Sequence, residues 1–542
     1  MTDHRSDFRI RQESMKLRSS RAHGLFLLFG LAICSAPGRT VAQNAPLHGL
    51  LAPDSYHHYF TEFARQEQEF LNDQPADEWP WLAKNIPWLD VPDTEMERIY
   101  YFRWYSFQKH IHHTPDGYII DEFLDNVPWA GKFNAIDCAA EDHLKEARWL
   151  RDPEYAEDYA RFWFSPDGEP RRYSFAAADS IYAVSLANGD QGLAKGLLPS
   201  LVGNYEAWEK THQDANGLFW QIDDRDGMED SIGGSGYRPT INSYMYGDAV
   251  AIARIAALKG DDSLSRQYQK KAEDLRALIE QRLWNPHDQF YETLPRDPGA
   301  SWVSVRELVG YVPWYYDVPA ADQAVAWRQL TDAAGFAGKY GPTTAERRSP
   351  RFRFEYPHEC LWNGPSWPFA TTQTLVALAN LLNSDVSQTS IGPAMYREVL
   401  DEYVRSQHIK FPNGETVPWI DEDLDPDTGQ WIARTILEKL KQPPPNRGRY
   451  YNHSGFADLI ITGLIGVRPV PGNRLTIHPL VSNQWQWFAL DGLPYHGHLL
   501  TVYYDKTGTR YHRGVGLHVW CDGVEVASEP TIAPLTVNLP TH

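Results

Sequence analysis

Apolar residues recur at helical spacing along most of the chain, from about Ser55 to Gly466. The connecting segments are rich in Gly, Pro, Asp and Trp, and patterns typical of strands are scarce there. We therefore predict about six or seven helical pairs in this region. The predicted helices are Tyr56–Leu71, Glu95–His112, Cys138–Leu150, Tyr155–Trp163, Phe175–Ala187, Gly192–Thr211, Ile241–Lys259, Asp262–Leu283, Arg306–Tyr316, Ala320–Leu330, Pro365–Leu382, Pro393–Ser406, Trp431–Lys441 and His453–Ile465.

So long a run of helical hairpins without a fixed sequence period forms either an open solenoid or a closed double ring of helices. Solenoids usually show their repeat, and this chain shows none, which favours the closed ring. In such a ring every second connection opens onto the same face, so long loops there would share one cleft. Long acidic and aromatic loops occur at Thr114–Asp137, Asp214–Thr240, Lys339–Gly364 and Phe411–Gln430.

The pattern changes after Gly466, where β-rich segments are separated by Gly, Pro and Asp turns. We predict a barrel domain over residues 43–466 and a small antiparallel β module over residues 467–542. The predicted strands are Arg474–His478, Trp485–Phe488, His498–Tyr504 and Val515–Trp520.

The N-terminus predicts an export signal over residues 1–42. Basic residues precede the apolar run Gly24–Ile33, and Thr40–Ala42 has the small-residue spacing of a signal-peptidase site. The basic region is long for a signal, which makes Met15 an alternative start. The apolar run is too short for a membrane span. Residues Leu31–Cys34 match a lipobox poorly, because Ile33 stands where a small residue is expected. We therefore expect a soluble periplasmic or extracellular protein rather than a lipoprotein.

Composition narrows the partners of this chain. Its 542 residues carry a formal net charge of −20, with the acids spread along the sequence. This charge argues against nucleic acid and anionic membranes as partners and suits neutral substrates. Twenty tryptophans and twenty-nine tyrosines fit a large core, a carbohydrate-binding cleft, or both. The oligomeric state stays open.

The cysteines and histidines do not predict a metal site. Outside the signal the cysteines are widely spaced, which gives neither a disulfide framework nor a zinc pattern. The cluster His110, His112 and His113 suits the C-terminal end of a helix, where the helix dipole favours such side chains. We expect no metal and no cofactor.

Two segments carry the candidate chemistry. Gln221–Thr240 holds more carboxylates and glycines than helix capping requires, so some of its acids are available for another role. Glu359–Phe369 places an acid and two tryptophans before a predicted helix, and tryptophan faces suit sugar rings. Together the segments predict a glycosidase cleft.

Three motifs resemble those of the inverting glycosidases with an (α/α)6 barrel: trehalases, family 63 glucosidases and mannosylglycerate hydrolase-like proteins. Gly227–Ser231 is similar to the family's Glu-Ser-Gly-Trp/Met-Asp-x-Ser loop. Trp362–Pro368 is similar to its Trp-Arg-Gly-Pro-Val-Trp-Pro segment, and Glu422–Gly429 to its Glu-x-Tyr-Asp-Pro-x-Thr-Gly segment. The motifs occur in the family's order. The resemblance implies a six-hairpin (α/α)6 toroid followed by the β module.

The resemblance also implies a pair of catalytic carboxylates. Inversion needs a protonated acid and an ionised base, about 6.5–9.5 Å apart. Motif position makes Glu229 the general acid, although the family has Asp there and the adjacent Asp230 is an alternative. Glu422 takes the position of the general base, with Asp421 and Asp423 as competitors. The acid-rich turn around these residues is alternatively a solvated loop or a calcium ligand, although it lacks the rest of an EF-hand.

Seven further side chains are candidates for substrate binding. Trp362 and Trp367 are expected to contact sugar, with core packing as the alternative. Arg238 has two interpretations: it binds a substrate carboxylate, or it pairs with Asp226 or Asp230. Acids are abundant nearby and surface ion pairs are common, which favours the pairing. The remaining candidates are Trp129, Asp179, Trp220 and Glu359.

These patterns predict a glycoside hydrolase that inverts its product and acts on a chain end or a small glycoside. Long loops from several hairpins favour a closed pocket and hence exo cleavage. Two alternatives remain: a sugar-binding or scaffold protein on the same barrel, and a polysaccharide lyase. The lyase would require a Tyr/His pair and a basic cleft. The sugar and the anomeric preference stay open.

Overall fold

The computed structural model describes residues 49–71, 73–353, 358–384, 391–441, 447–481 and 484–540. The predicted signal segment, residues 1–42, lies outside the described residues. The described residues all belong to one compact unit. Within the part of the chain that is described, no helix has the length and apolar character needed to cross a membrane.

Helices dominate the described chain up to Leu464. Short 3-10 or π-helical turns extend or replace several of them, and the turns at Leu308–Tyr311, Ala321–Gln329 and Leu459–Leu464 take the place of predicted α-helix. The α-helices are α1 (His57–Gln66), α2 (Trp79–Asn85), α3 (Thr94–Lys109), α4 (Ala140–Ala147), α5 (Glu154–Phe162), α6 (Ala177–Asn188), α7 (Gly192–His212), α8 (Pro239–Lys259), α9 (Asp262–Arg282), α10 (Val312–Tyr315), α11 (Pro368–Asn383), α12 (Pro393–Ser406) and α13 (Ile432–Leu440).

The helices form an inner and an outer ring. The inner ring consists of α4, α6, α8, α10, α11 and the π-helical turn Leu459–Leu464, called the π-helical turn below. These elements pack against one another in that order and are buried on nearly every side. The turn closes this ring on α4, where Arg148 Nη2 pairs with Asp458 Oδ1 at 2.6 Å. The outer ring consists of α3, α5, α7, α9, the 3-10 segment Ala321–Gln329 and α12. The outer helices α9 and α12 each bury one apolar stripe, as expected for helices with one solvated face.

Proline and glycine set several helix boundaries. Pro239 and Pro368 occupy the first turns of α8 and α11, where a missing backbone N–H costs little. Gly260 ends α8 in the left-handed conformation, with a φ of +80°. These signals lie in the sequence itself, which is why the predicted and observed boundaries of α8 and α11 differ by only a few residues.

The predicted helix Glu95–His112 ends at Lys109 instead. His112 and His113 lie in β2 (Ile111–Thr114), which pairs with β3 (Gly117–Ile120) through a tight turn at Gly117, whose φ is +98°. Placing these two histidines at a helix end was therefore wrong. His110 is buried, and a ring nitrogen lies 2.8 Å from the carbonyl oxygen of Tyr450.

The remaining strands lie mostly after Gly466. They are β1 (Trp88–Asp90), β4 (Trp284–Asn285), β5 (Phe290–Tyr291), β6 (His408–Lys410), β7 (Thr416–Pro418), β8 (Val467–Pro469), β9 (Arg474–Ile477), β10 (Trp487–Tyr495), β11 (His498–Asp505), β12 (Gly516–Cys521), β13 (Val524–Glu529) and β14 (Leu535–Asn538). Those after Gly466 form two antiparallel sheets, with the orders β1-β10-β11-β12-β13 and β14-β9-β8. The edge strand β1 comes from the N-terminal part of the chain, and its Trp88 pairs with Asp491 of β10. Two further hairpins, β4–β5 and β6–β7, connect helices.

Candidate active site

All four of the long loops contribute to one pocket of about 290 Å³. Residues 447–453 and three residues outside these loops, Cys138, Tyr173 and Trp367, also line it. A pocket of this size is at the small end of the range for ligand sites, about 300–1,000 Å³, and suits a small ligand. The lining residues are Glu122, Phe123, Trp129, Ile136, Cys138, Tyr173, Asp224, Arg225, Gly227, Glu229, His358, Glu359, Cys360, Trp367, Glu422, Arg447, Tyr451 and His453.

The pocket lies where inner helices begin. Cys138, Tyr173 and Trp367 each line it and lie within four residues before the first residue of α4, α6 and α11, respectively. The Glu229 loop leads into α8, and His453 precedes the π-helical turn. The pocket therefore lies at the end of the barrel where these inner helices begin.

Glu229 lines the pocket and is held on both sides by the segment at Glu359–Phe369. Its Oε2 accepts a hydrogen bond from the Cys360 thiol at 2.8 Å, and its backbone carbonyl accepts one from Trp362 N at 3.2 Å. Burial raises the pKa of Glu229, while the Cys360 thiol and its own backbone N–H act in the opposite direction. A raised pKa is the property that a general acid needs near neutral pH.

The neighbouring Asp230 is not among the pocket-lining residues. It has a φ of +58°, in the left-handed region that few residues other than glycine adopt. Its Oδ2 lies 3.9 Å from His358 Nδ1. The structure therefore separates the two adjacent acids that the sequence leaves as alternatives.

Glu422 and Glu359 share one arginine. Arg447 Nε and Nη2 donate to Glu422 Oε1 and Oε2 at 3.0 and 3.3 Å, and Nη2 also lies 3.0 Å from Glu359 Oε1. Burial raises the pKa of Glu422 to about 7, against the lowering effect of Arg447. Burial also acts to raise the pKa of Glu359. The backbone N–H of Glu359 and the Arg447 guanidinium outweigh this effect, so the pKa of Glu359 lies below its usual range.

The competitors of Glu422 have structural partners. Asp421 accepts hydrogen bonds from Arg434 Nε at 2.9 Å and Trp419 Nε1 at 3.2 Å. Asp423 Oδ1 accepts one from the Ala433 backbone N–H at 2.9 Å, at the start of α13. Of these three consecutive acids, only Glu422 lines the pocket.

The oxygens suggested for calcium also have protein partners. Asp425 Oδ1 accepts the backbone N–H groups of Asp427 and Thr428, both at 2.9 Å. Its Oδ2 pairs with Arg353 at 2.7 Å, and Asp427 pairs with Arg347 at 2.7 Å. These contacts stabilise the turn that carries Glu422.

Gly448 allows the close approach of the arginine segment to the acid-rich turn. A Cβ atom at this position would lie 1.8 Å from Asp421 Oδ1 and 3.4 Å from Glu422 Cγ. A larger residue there would therefore push Arg447 away from Glu422.

Trp129 and Trp367 line the pocket, whereas Trp362 packs behind Trp367. The rings of Trp362 and Trp367 stack with centroids 4.7 Å apart, and both side chains are buried. Trp129 is half-buried, and the guanidinium of Arg447 lies 5.0 Å from its ring centroid. Trp129 thus presents more free surface to a ligand than the other two rings.

Three predicted binding residues lie outside the pocket. Asp179 on α6 pairs with Lys145 Nζ at 2.9 Å, and Trp220 stacks against His212 and the Arg296 guanidinium. Arg238 is fully buried, and its Nε pairs with Asp226 Oδ2 at 2.6 Å. This pairing is the alternative already considered for Arg238, and it stabilises the loop that carries Glu229.

Sequence reasoning missed several pocket residues. Arg447, Tyr451 and His453 follow a proline-rich stretch and belong to no recognisable motif. Glu122 lies in one of the long loops, but as one acid among several. The mixture of arginine, tyrosine and histidine just before an inner helix was the one available sign.

Comparison with known proteins identifies the family. Residues 132–454 match the model of the mannosylglycerate hydrolase MGH1-like glycoside hydrolase domain. The chain belongs to this family. The resemblance seen in the three motifs is confirmed, and the chain contains a glycoside hydrolase domain. Residues 468–527 match the C-terminal domain of glycosyl hydrolase family 65, within the β module.

Solved structures confirm the fold. A chain described as a sialidase is 39% identical with a TM-score of 0.82, over 90% of this chain and 45% of that chain. The GH63 mannosylglycerate hydrolase from Thermus thermophilus, in complex with glucose, is 13% identical with a TM-score of 0.50. That match covers 67% of this chain and 99% of the hydrolase, and at this identity it shows the fold alone. The predicted (α/α)6 barrel with a C-terminal β region is confirmed.

An uncharacterized protein of Borreliella burgdorferi is 27% identical over 128 residues, which is 23% of this chain and 27% of that protein. This chain thus matches less than half of the length of the Borreliella burgdorferi protein and less than half of the length of the sialidase chain.

Proposed function

We propose that this chain hydrolyses a glycosidic bond of a neutral sugar with inversion, using Glu229 as general acid and Glu422 as general base. The observation that carries the proposal is that these two carboxylates, from separate loops, line the same small pocket. Two carboxyl groups on opposite sides of a sugar ring are the minimum that an inverting glycosidase requires. The glycoside hydrolase family match supports the reaction class.

The proposed acid and base have suitable environments. Glu229 has the Cys360 thiol as a side-chain donor and no cation within salt-bridge distance among the described residues, so burial favours its protonated form. Glu422 is bound by the Arg447 guanidinium, which favours the ionised form, but burial leaves its pKa at about 7, so it accepts a proton from water above about that pH. In this mechanism Glu229 protonates the leaving oxygen while Glu422 deprotonates the attacking water.

The charge of the pocket supports a neutral substrate. Five acids line it, together with two arginines and two histidines. Arg447 already bridges two carboxylates, and Arg225 lies 3.5 Å from Asp224 and over the Tyr173 ring. An anionic sugar would have to compete with these acids for each arginine. We therefore assign a neutral sugar to this pocket and not a sialic or uronic acid.

The same argument disfavours a lyase on this barrel. The pocket contains a Tyr/His pair, with Tyr451 Oη 3.1 Å from His453 Nδ1. A lyase acting on uronic acids would also need a basic cleft, and this cleft is acidic.

The size of the pocket supports exo action on one terminal sugar or on a small glycoside. We also propose export of the protein, based on the signal pattern of the sequence alone.

A substrate panel tests the proposal. Purified protein is incubated with α- and β-linked neutral glycosides, sialosides and uronate polymers, beside a Glu229→Gln/Glu422→Gln double variant. We expect release of a neutral sugar by the wild type and none by the double variant. Cleavage confined to sialosides, or an unsaturated product from uronates, would contradict the neutral-sugar assignment. Binding without turnover across the panel would contradict hydrolysis.

A further inference from the structure

Three buried pocket side chains carry donor atoms of three different kinds. Glu122, Cys138 and His453 each place one such atom within 4.8 Å of the others. They come from separate segments: the loop after β3, the turn before α4, and the stretch before the π-helical turn. The proposed acid and base do not require any of them. We propose that Glu122, Cys138 and His453 bind a divalent metal ion of the zinc type.

The distances between donors fit such a site. A Glu122 carboxylate oxygen lies 3.2 Å from His453 Nδ1, and the other lies 3.8 Å from Cys138 Sγ. With metal–ligand bonds of about 2.0–2.3 Å, tetrahedral geometry places oxygen and nitrogen about 3.3 Å apart and oxygen and sulfur about 3.5 Å apart. The distance of 3.8 Å is long for a hydrogen bond. The third separation, between the His453 and Cys138 donors, is at most 4.8 Å, so the three groups have to draw closer together to share one ion.

The charges of the three groups also suit a dication. An ionised carboxylate, a thiolate and a neutral imidazole together carry two negative charges. A divalent cation bound by these buried side chains would neutralise both charges. Carboxylate, thiolate and imidazole are all established zinc ligands, and a thiolate selects against calcium and magnesium. His453 Nδ1, the nitrogen nearest to Glu122, also lies 3.1 Å from Tyr451 Oη, so a metal ion bound there would take the place of that hydrogen bond.

The position of the trio gives the ion access to ligand. All three side chains line the pocket that contains Glu229 and Glu422. An ion held by three protein ligands at a cavity wall keeps one position for water or a sugar hydroxyl, which is the arrangement of open zinc sites. The site would thus contact the substrate bound between the two carboxylates.

The test measures metal content, which does not depend on glycosidase activity. The full chain, purified without a metal-affinity resin, is incubated with zinc chloride, freed of excess metal by gel filtration and analysed by mass spectrometry for zinc. The variants are Cys138→Ser, His453→Gln and, as the matched control, Cys360→Ser, which removes the other pocket thiol. We expect about one zinc per chain in the wild type and in the control, and less than about a tenth in the other two variants.

Cobalt gives a second readout that identifies the thiolate. Co²⁺ bound to Cys138 should produce a thiolate charge-transfer absorption in the near ultraviolet, present in Cys360→Ser and absent in Cys138→Ser. Circular dichroism shows which variants are folded. A folded wild-type chain that retains no zinc and shows no cobalt band would overturn the proposal. Undiminished zinc in folded Cys138→Ser and His453→Gln would overturn it as well.

Discussion

The Glu229 carboxylate accepts a 2.8 Å hydrogen bond from the Cys360 thiol, and both side chains line the pocket. This contact joins two segments that lie 131 residues apart in the sequence. Because the thiol is a weak donor, it orients the carboxylate without supplying the full charge that an arginine would bring. Glu229 is thus positioned while burial still favours its protonated form.

Glu229 and Asp230 should differ sharply when their carboxyl groups are replaced. Glu229→Gln removes the proposed proton donor, and we expect kcat to fall by about 10²–10⁴-fold. Asp230→Asn is the matched control, because this side chain lies outside the pocket and next to the same backbone. Steady-state kinetics on the hydrolysed substrate measure both. A larger loss in Asp230→Asn than in Glu229→Gln would reverse the assignment.

Trp129 and Trp220 form a second matched pair, since each ring lies beneath an arginine. The guanidinium of Arg447 lies 5.0 Å from the Trp129 ring, and that of Arg296 lies 3.9 Å from the Trp220 ring. Only Trp129 lines the pocket. Trp129→Ala should raise KM by about tenfold, from the loss of about 1–1.5 kcal/mol of ring contact with sugar. Trp220→Ala should leave KM unchanged, and equal effects would argue against Trp129 as a sugar platform.

Arg447 should set the acidic limb of the pH profile. The guanidinium lowers the pKa of Glu422, which burial otherwise raises, so its removal should move that pKa upward from about 7. A general base acts in its ionised form, and the acidic limb of kcat/KM in Arg447→Gln should therefore shift to higher pH.

Arg434→Gln is the control for this experiment. Arg434 pairs at 2.9 Å with Asp421, the residue before Glu422. Its replacement removes this pair and keeps the Arg447–Glu422 contact. The acidic limb of kcat/KM in Arg434→Gln should coincide with that of the wild type. An unchanged limb in Arg447→Gln would exclude Glu422 as the group that titrates on this side of the profile.

The Arg238–Asp226 pair should contribute to stability and not to substrate affinity. Both side chains are fully buried, so Arg238→Ala would leave an unpaired carboxylate inside the protein. We expect a loss of about 3–5 kcal/mol in the free energy of unfolding, measured by urea denaturation. Arg296→Ala breaks the partly exposed pair with Asp214 and should cost less than about 1 kcal/mol. Similar losses in both variants would contradict the difference in burial.

The barrel could be predicted because its signals are local. The apolar spacing and the prolines at α8 and α11 are properties of short segments, and they indicate an element wherever it packs. The strand β1 was missed for the opposite reason. It has only three residues, and its partner β10 lies about 400 residues further along the chain. No local pattern identifies such a pairing.

The candidate site follows the same division. Motif order brought Glu229, Glu422 and Trp367 to attention, and the structure places all three at one pocket. The partner of a charged side chain cannot be read from spacing, because it depends on which loops meet. The sequence therefore leaves Arg238 open as a ligand contact and gives no indication of Arg447, which bridges Glu359 and Glu422.

Proton NMR of the first-formed sugar tests the central claim most directly. Once a substrate is identified, its hydrolysis is followed at a rate faster than mutarotation, so that the anomer released by the enzyme is seen before it equilibrates. Two carboxylates acting as acid and base through a water molecule predict that the first product has the anomeric configuration opposite to that of the substrate. A first product with the substrate's own configuration would contradict the roles assigned to Glu229 and Glu422.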